Sequence, residues 1–151
     1  MLFEFSAPLK KALSDEPILK LADDRKPYVL RTDASNTGVG AVLMQEHNGQ
    51  LFPVSYASRK LLDRERKYST MERECLGIIF GLRKFEMYLY GKEFVLQTDH
   101  EPLGYLDRAK YLNDRIMRWS LYMQRFVFTV TVIKGSQNAG ADFLSRVGCS
   151  S

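Results

Sequence analysis

Residues 28–58, YVLRTDASNTGVGAVLMQEHNGQLFPVSYAS, hold the densest structural information in the chain. Tyr28 to Asp33 alternates as a strand and runs into SNTGVG, a turn rich in Ser, Asn and Gly. Two further β-type runs follow, joined by His47-Asn48-Gly49-Gln50, and Asn-Gly is a strong hairpin signal because both residues tolerate positive φ. The stretch therefore predicts three consecutive antiparallel strands.

Outward from that core, 59–67 (RKLLDRERK) carries five basic and two acidic side chains and reads as a solvated connection. From about Thr70 to Tyr90, the apolar residues Met71, Cys75, Ile78, Leu82, Phe85 and Leu89 recur at helical steps, and Gly91 ends the run. EFVLQTD at 93–99 predicts a fourth strand, followed by a helical turn containing Pro102 and a helix from about Leu112 to Arg125. FVFTVTVIKG predicts a fifth strand ending at Gly135, and a short helix covers Ala139 to Arg146. Residues 1–24, punctuated by Pro8 and Pro17, suit a short helix and a linker. The order of elements describes an α/β domain: a mixed sheet with helices on its faces.

The 151 residues fit one domain, and 45% apolar residues supply a core, which excludes a disordered tail. A net charge of +4 biases the chain only mildly toward polyanions. Cys75 and Cys149 are too few for a disulfide framework or a zinc site, so a reducing, intracellular compartment fits. No apolar stretch approaches the ~20 residues needed to cross a bilayer, which argues against membrane insertion.

Four carboxylates stand at structural junctions. Asp33 and Asp99 close two strands, each preceded by Thr. One such Asp is ordinarily a turn former, but a matched pair is unusual. In the long helix Glu72 and Glu74 compete, and a wheel of ~100° per residue places Glu74 about 60° from the centre of the apolar stripe and Glu72 about 100° away on the other side. Glu74 is the more buried of the two by this reading. Gly77 and Gly81 share its flank, where close packing on the sheet would compensate their cost to the helix. Asp142 opens the last helix, where a dipole-facing Asp is a sufficient structural explanation by itself. Converging, the four acids would repel at neutral pH unless hard divalent cations held them, and such a pair of cations performs phosphoryl transfer.

These phrases carry a resemblance. LRTDASNTGVGAVLMQ, FPVSYASRKL, YSTMERECLGIIFGLRKF, LQTDHEPLGYL, NDRIMRW and GSQNAGADFLSR together resemble the ribonuclease H domain of a reverse transcriptase of the gypsy-type long-terminal-repeat retrotransposon class. The resemblance implies a ribonuclease H-like fold, a five-stranded mixed sheet in the order 3-2-1-4-5 flanked by helices. It divides the chain into 1–26, similar to the end of a connection region, a ribonuclease H domain over 27–147, and a tail over 148–151. It implies a catalytic and metal-binding quartet of Asp33, Glu74, Asp99 and Asp142, with Glu74 eight residues before Leu82 and Asp142 four after Asn138. The implied cofactors are two Mg²⁺, with Mn²⁺ as an alternative.

The activity it implies is cleavage of the RNA strand of an RNA:DNA hybrid, within a polyprotein whose polymerase and connection portion is the partner. Only RNA offers 2′-hydroxyls for such selection. Ala34, Ser35, Asn36 and His100 are the positions that the resemblance brings near the RNA strand. The helical stripe Arg115, Arg118, Tyr122 and Arg125 is a further candidate for phosphate contact, although an amphipathic surface helix has the same pattern. The chain departs from many relatives in lacking a His in KGSQNAG, a residue assigned there to metal exchange or product release. The alternative reading is a catalytically weak or inactive hybrid-binding or scaffolding module of the same fold.

Overall fold

The computed structural model describes residues 22–111 and 113–133. In chain order the elements are β1 (Tyr28–Ala34), β2 (Gly38–His47), β3 (Gln50–Lys60), α1 (Asp63–Arg66), α2 (Thr70–Lys84), α3 (Glu86–Leu89), β4 (Glu93–Thr98), α4 (Pro102–Ala109), α5 (Asp114–Met123) and β5 (Val127–Val132). The short helix read over 139–146 and the segment before residue 22 lie outside the described residues.

The five strands form one mixed sheet in the order β3-β2-β1-β4-β5. β1, β2 and β3 pair antiparallel, while β1 with β4 and β4 with β5 pair parallel. The hairpin turns as its residues require: Asn48 and Gly49 have φ of 56° and 84°, closing the His47–Gln50 pair. Between Leu43 and Met44 the β2/β3 register shifts. Pro53 sits at that irregularity on the edge strand, where its missing N–H costs least. Gln45, fully buried, accepts from the Asp23 N–H and donates to the Asp23 and Lys26 carbonyls, tying the entering chain to β2.

α2 begins with a reciprocal cap, Ser69 Oγ accepting the Glu72 N–H and Glu72 Oε1 accepting the Ser69 N–H. Its apolar stripe packs Cys75, Ile78 and Leu82 against Leu30, Ala41 and Leu43 of the sheet, all of them fully buried. The two glycines explain the closeness. A Cβ built on Gly81 would lie 3.0 Å from Ala41 Cβ and from Thr32 Cγ2, and one on Gly77 would lie 3.2 Å from the Asp33 carbonyl oxygen. Gly81→Val is accordingly expected to destabilise the domain by about 1–3 kcal/mol through overpacking, read as a lower urea midpoint; an unchanged midpoint would contradict this packing.

Two expectations need correction. The long helix is broken at Phe85 (φ −113°, ψ 23°), which ends α2 and starts α3. Phe85 and Leu89 both stay buried, so the apolar spacing survives a break that the periodicity cannot register. The segment 59–67 is not merely solvated, since β3 extends through Lys60 and α1 follows. Glu65 is 4% exposed and accepts a two-pronged bond from Arg59 Nη1 (2.7 Å) and Nη2 (3.0 Å) and another from the Leu62 N–H (2.7 Å). Burial alone would push its carboxyl up, but these donors hold it below the usual range. No described helix is long and apolar enough to cross a membrane.

Candidate metal centre

Strand direction assembles the site. β1 and β4 run parallel with Arg31 opposite Gln97, and two steps further along that register Asp33 and Asp99 emerge at the same end of the sheet. The repeated Thr-Asp pair of the sequence is therefore a pair in space. Glu74 comes from the second turn of α2, which Gly77 allows to settle against the Asp33 backbone. Asp33, Glu74 and Asp99 each present one oxygen, and these three atoms lie within 4.8 Å of one another. Asp142 lies outside the described residues.

Asp33 and Glu74 are each 7% exposed, whereas the Asp99 side chain is 19% exposed. The Ala34 N–H donates to Asp33 Oδ1 at 3.0 Å. Burial pushes the Asp33 carboxyl up to about 7; Arg31 opposes that rise and Asp99 adds to it. Glu74 is pushed up to about 8, first by burial and then by the charges of Asp33 and Asp99. In both, burial is the first cause and neighbouring carboxylate charge adds to it, so the three acids ionised together would repel one another. An all-oxygen donor set with a deficit of positive charge fits a hard divalent cation. Asp33, Glu74 and Asp99 are the described residues that could hold one.

The competing carboxylate points elsewhere. Glu72 Oε2 accepts from Arg115 Nη2 at 2.7 Å and Glu72 Oε1 serves the helix cap, so the wheel reading that put Glu74 on the buried side agrees with the structure. His100 borders the cluster, with Nδ1 3.6 Å from Glu74 Oε2 and a side chain 42% exposed. Ser35 shapes the turn after β1, its Oγ accepting the Thr37 and Gly38 N–H groups, while exposed Asn36 accepts from Arg73 Nη2 at 3.2 Å. Ala34 closes β1 beside them.

The α5 stripe divides. Arg115 lies over the Tyr68 ring at 4.1 Å as well as pairing with Glu72, and Tyr122 donates its hydroxyl to Glu86 Oε1 at 2.8 Å, so both bind α5 to neighbouring elements. Arg118 is exposed. Trp119 is core, 6% exposed and edge-on to Tyr68.

Sequence reasoning missed Arg31. Its guanidinium donates to Asp99 Oδ1 at 3.2 Å and to the Thr32 carbonyl at 3.3 Å, with the side chain 6% exposed. Strand alternation, which puts residues i and i+2 on one side, would have placed it beside Asp33.

A family described as the RNase H-like domain found in reverse transcriptase matches residues 23–126. The chain is similar to the retrovirus-related Pol polyproteins of the Drosophila melanogaster transposons 297 (42% identity over 92% of this chain) and gypsy (41% over 88%). It is also similar to the transposon Tf2-3 polyprotein of Schizosaccharomyces pombe, 37% identical over 92% of this chain. It spans 13%, 13% and 11% of those polyproteins. Among solved structures, the foamy viral protease-reverse transcriptase in complex with an RNA/DNA hybrid shares the fold. Its TM-score is 0.64 at 20% identity, covering 78% of this chain and 16% of that one. An N-terminal RNase H domain from Mycobacterium tuberculosis, fused to maltose binding protein, matches with TM-score 0.54 at 13% identity, covering 80% of this chain and 89% of that one.

Proposed function

This chain belongs to the family of RNase H-like domains found in reverse transcriptase, and on that premise we propose that it hydrolyses the RNA strand of RNA:DNA hybrids. The observation that carries the reading is the meeting of Asp33, Glu74 and Asp99, from three separate elements, within 4.8 Å. With Asp142 as a fourth ligand they would hold two Mg²⁺, or Mn²⁺ in their place. When bound, such a pair of cations activates water and stabilises the leaving oxygen of a phosphodiester.

The chain's own residues build the setting for that chemistry. The Ala34 N–H fixes one oxygen of Asp33, and Arg31 fixes one of Asp99. Burial of Asp33 and Glu74 keeps bulk water from their inner side and leaves the more exposed Asp99 and His100 at the mouth. His100, Ala34, Ser35 and Asn36 face the RNA strand in this reading. Arg115, Arg118 and Tyr122 on α5 offer phosphate contacts, Arg115 and Tyr122 while also pairing with Glu72 and Glu86.

Residues 27–147 form the nuclease domain, 1–26 lead from the connection portion of the polyprotein and 148–151 are a tail. The polymerase and connection portion is its partner, and the location is intracellular: the cytoplasm, with virus-like particles in it, or the nucleus.

The direct test incubates the purified chain with a labelled hybrid, each single strand and duplex DNA, with Mg²⁺ and with EDTA. Expected is cleavage of the hybrid's RNA strand alone, lost in EDTA; an intact hybrid, or cutting that EDTA does not stop, would overturn the proposal. Glu72→Gln should retain cleavage within about threefold, because its partners are a helix cap and Arg115 rather than the cluster. A loss matching that of Glu74→Gln would reverse the assignment of the two glutamates. Hybrid affinity should fall steeply as salt rises, a fluorescence-anisotropy measurement in which a flat response would exclude phosphate contact as the main grip.

A further inference from the structure

Arg31 is a cation buried within an acid cluster. Two residues before Asp33 on β1, it reaches across to the neighbouring parallel strand's terminus, where Nη2 meets Asp99 Oδ1 at 3.2 Å, while Nη1 is anchored on the Thr32 carbonyl. Its side chain is 6% exposed, so a cation is taken out of water there. An apolar residue would satisfy a buried strand position at far lower desolvation cost, so the guanidinium needs an explanation in terms of its surroundings. Those surroundings include the three carboxylates, whose mutual repulsion it opposes.

Resting on the reading of the cluster as a divalent-cation site, we propose that Arg31 is a resident counter-cation: a positioning residue that keeps Asp99 in the cluster when metal is absent and lowers the cluster's affinity for metal. Two effects act on the affinity in opposite directions. Holding Asp99 in place favours binding, whereas a fixed positive charge beside the ligands and a donor on one ligand oxygen disfavour it. The repulsion dominates, because it acts between full charges with little water between them. Asp99 directly follows β4, so strand pairing fixes its backbone beside the cluster and Arg31 sets only where its carboxylate points. The result is a site that assembles before metal arrives and releases metal readily.

The test titrates Mg²⁺ into the full chain by calorimetry, comparing the parent with Arg31→Gln and Arg31→Lys. Arg31→Gln should bind at least roughly tenfold more tightly, the effect of one nearby unit charge even at the screening of bulk water, and Arg31→Lys should stay within about threefold of the parent. Equal or weaker binding by a folded Arg31→Gln would overturn the inference, and a merely structural Arg31 would weaken binding in both variants. A parent that binds no Mg²⁺ would instead remove the functional reading on which the inference rests. Should Arg31→Gln fail to fold, the Nε–H resonance of Arg31 in the parent decides. It should move on Mg²⁺ saturation by more than that of Arg59, whose partner Glu65 lies outside the cluster. An unmoved resonance would overturn the inference.

Discussion

Glu74→Gln is expected to reduce Mg²⁺-dependent cleavage of an RNA:DNA hybrid by on the order of 10³-fold while making the metal-free domain harder to unfold. The two effects have one cause. Glu74 is a buried carboxylate facing two others, and its amide isostere keeps the shape while removing a charge that the metal-free fold poorly tolerates. Asp99→Asn should lose cleavage to a similar extent but without the gain in stability, because it also breaks the Arg31 ion pair and leaves that guanidinium buried with a weaker partner. Initial cleavage rates and thermal unfolding in EDTA, measured on the same preparations, check both statements. Full activity in either variant would show that the carboxylates do not act.

Stability of the metal-free domain should fall by several kcal/mol as pH rises through the range between the unfolded and folded values of Asp33 and Glu74. The sign follows from proton counts. Asp33 and Glu74 have folded-state values near 7 and 8, above their unfolded values near 4, so within that window the native state binds more protons than the unfolded chain. Raising pH strips those protons and leaves like charges buried together, and the stabilisation is lost through the folded values. Divalent metal offsets part of that fall, since it binds the ionised form: at a hundred times its dissociation constant it contributes about 2.7 kcal/mol. Urea midpoints across pH, in EDTA and in Mg²⁺, measure both. A midpoint in EDTA that rises over this window would contradict the burial and repulsion described for the cluster.

Local chemistry made much of this fold readable from the sequence. Asn48-Gly49 turns where it does because both residues accept positive φ, and the sheet order expected from the resemblance is the one observed. Glu74 could be separated from Glu72 because a helix wheel turns sequence spacing into direction, and direction into burial. What escaped were pairings between side chains that only the assembled fold brings together. Glu65 lay in a run of charges that looked solvated, yet Arg59 across the β3–α1 corner makes its burial tolerable. Arg31 looked like the polar member of an alternating strand, and its significance came only with the β4 terminus alongside. Arg115 and Tyr122 form a clear stripe, but a stripe does not show that Arg115 Nη2 and the Tyr122 hydroxyl donate to Glu72 and Glu86 on adjoining helices.

The most direct measurement is anomalous diffraction at the manganese edge from crystals of the chain soaked in Mn²⁺. The account expects anomalous density bounded by the carboxylates of Asp33, Glu74 and Asp99, absent from crystals of Glu74→Gln soaked in the same way. Ordered manganese elsewhere on the protein, with none among these three side chains, would contradict it.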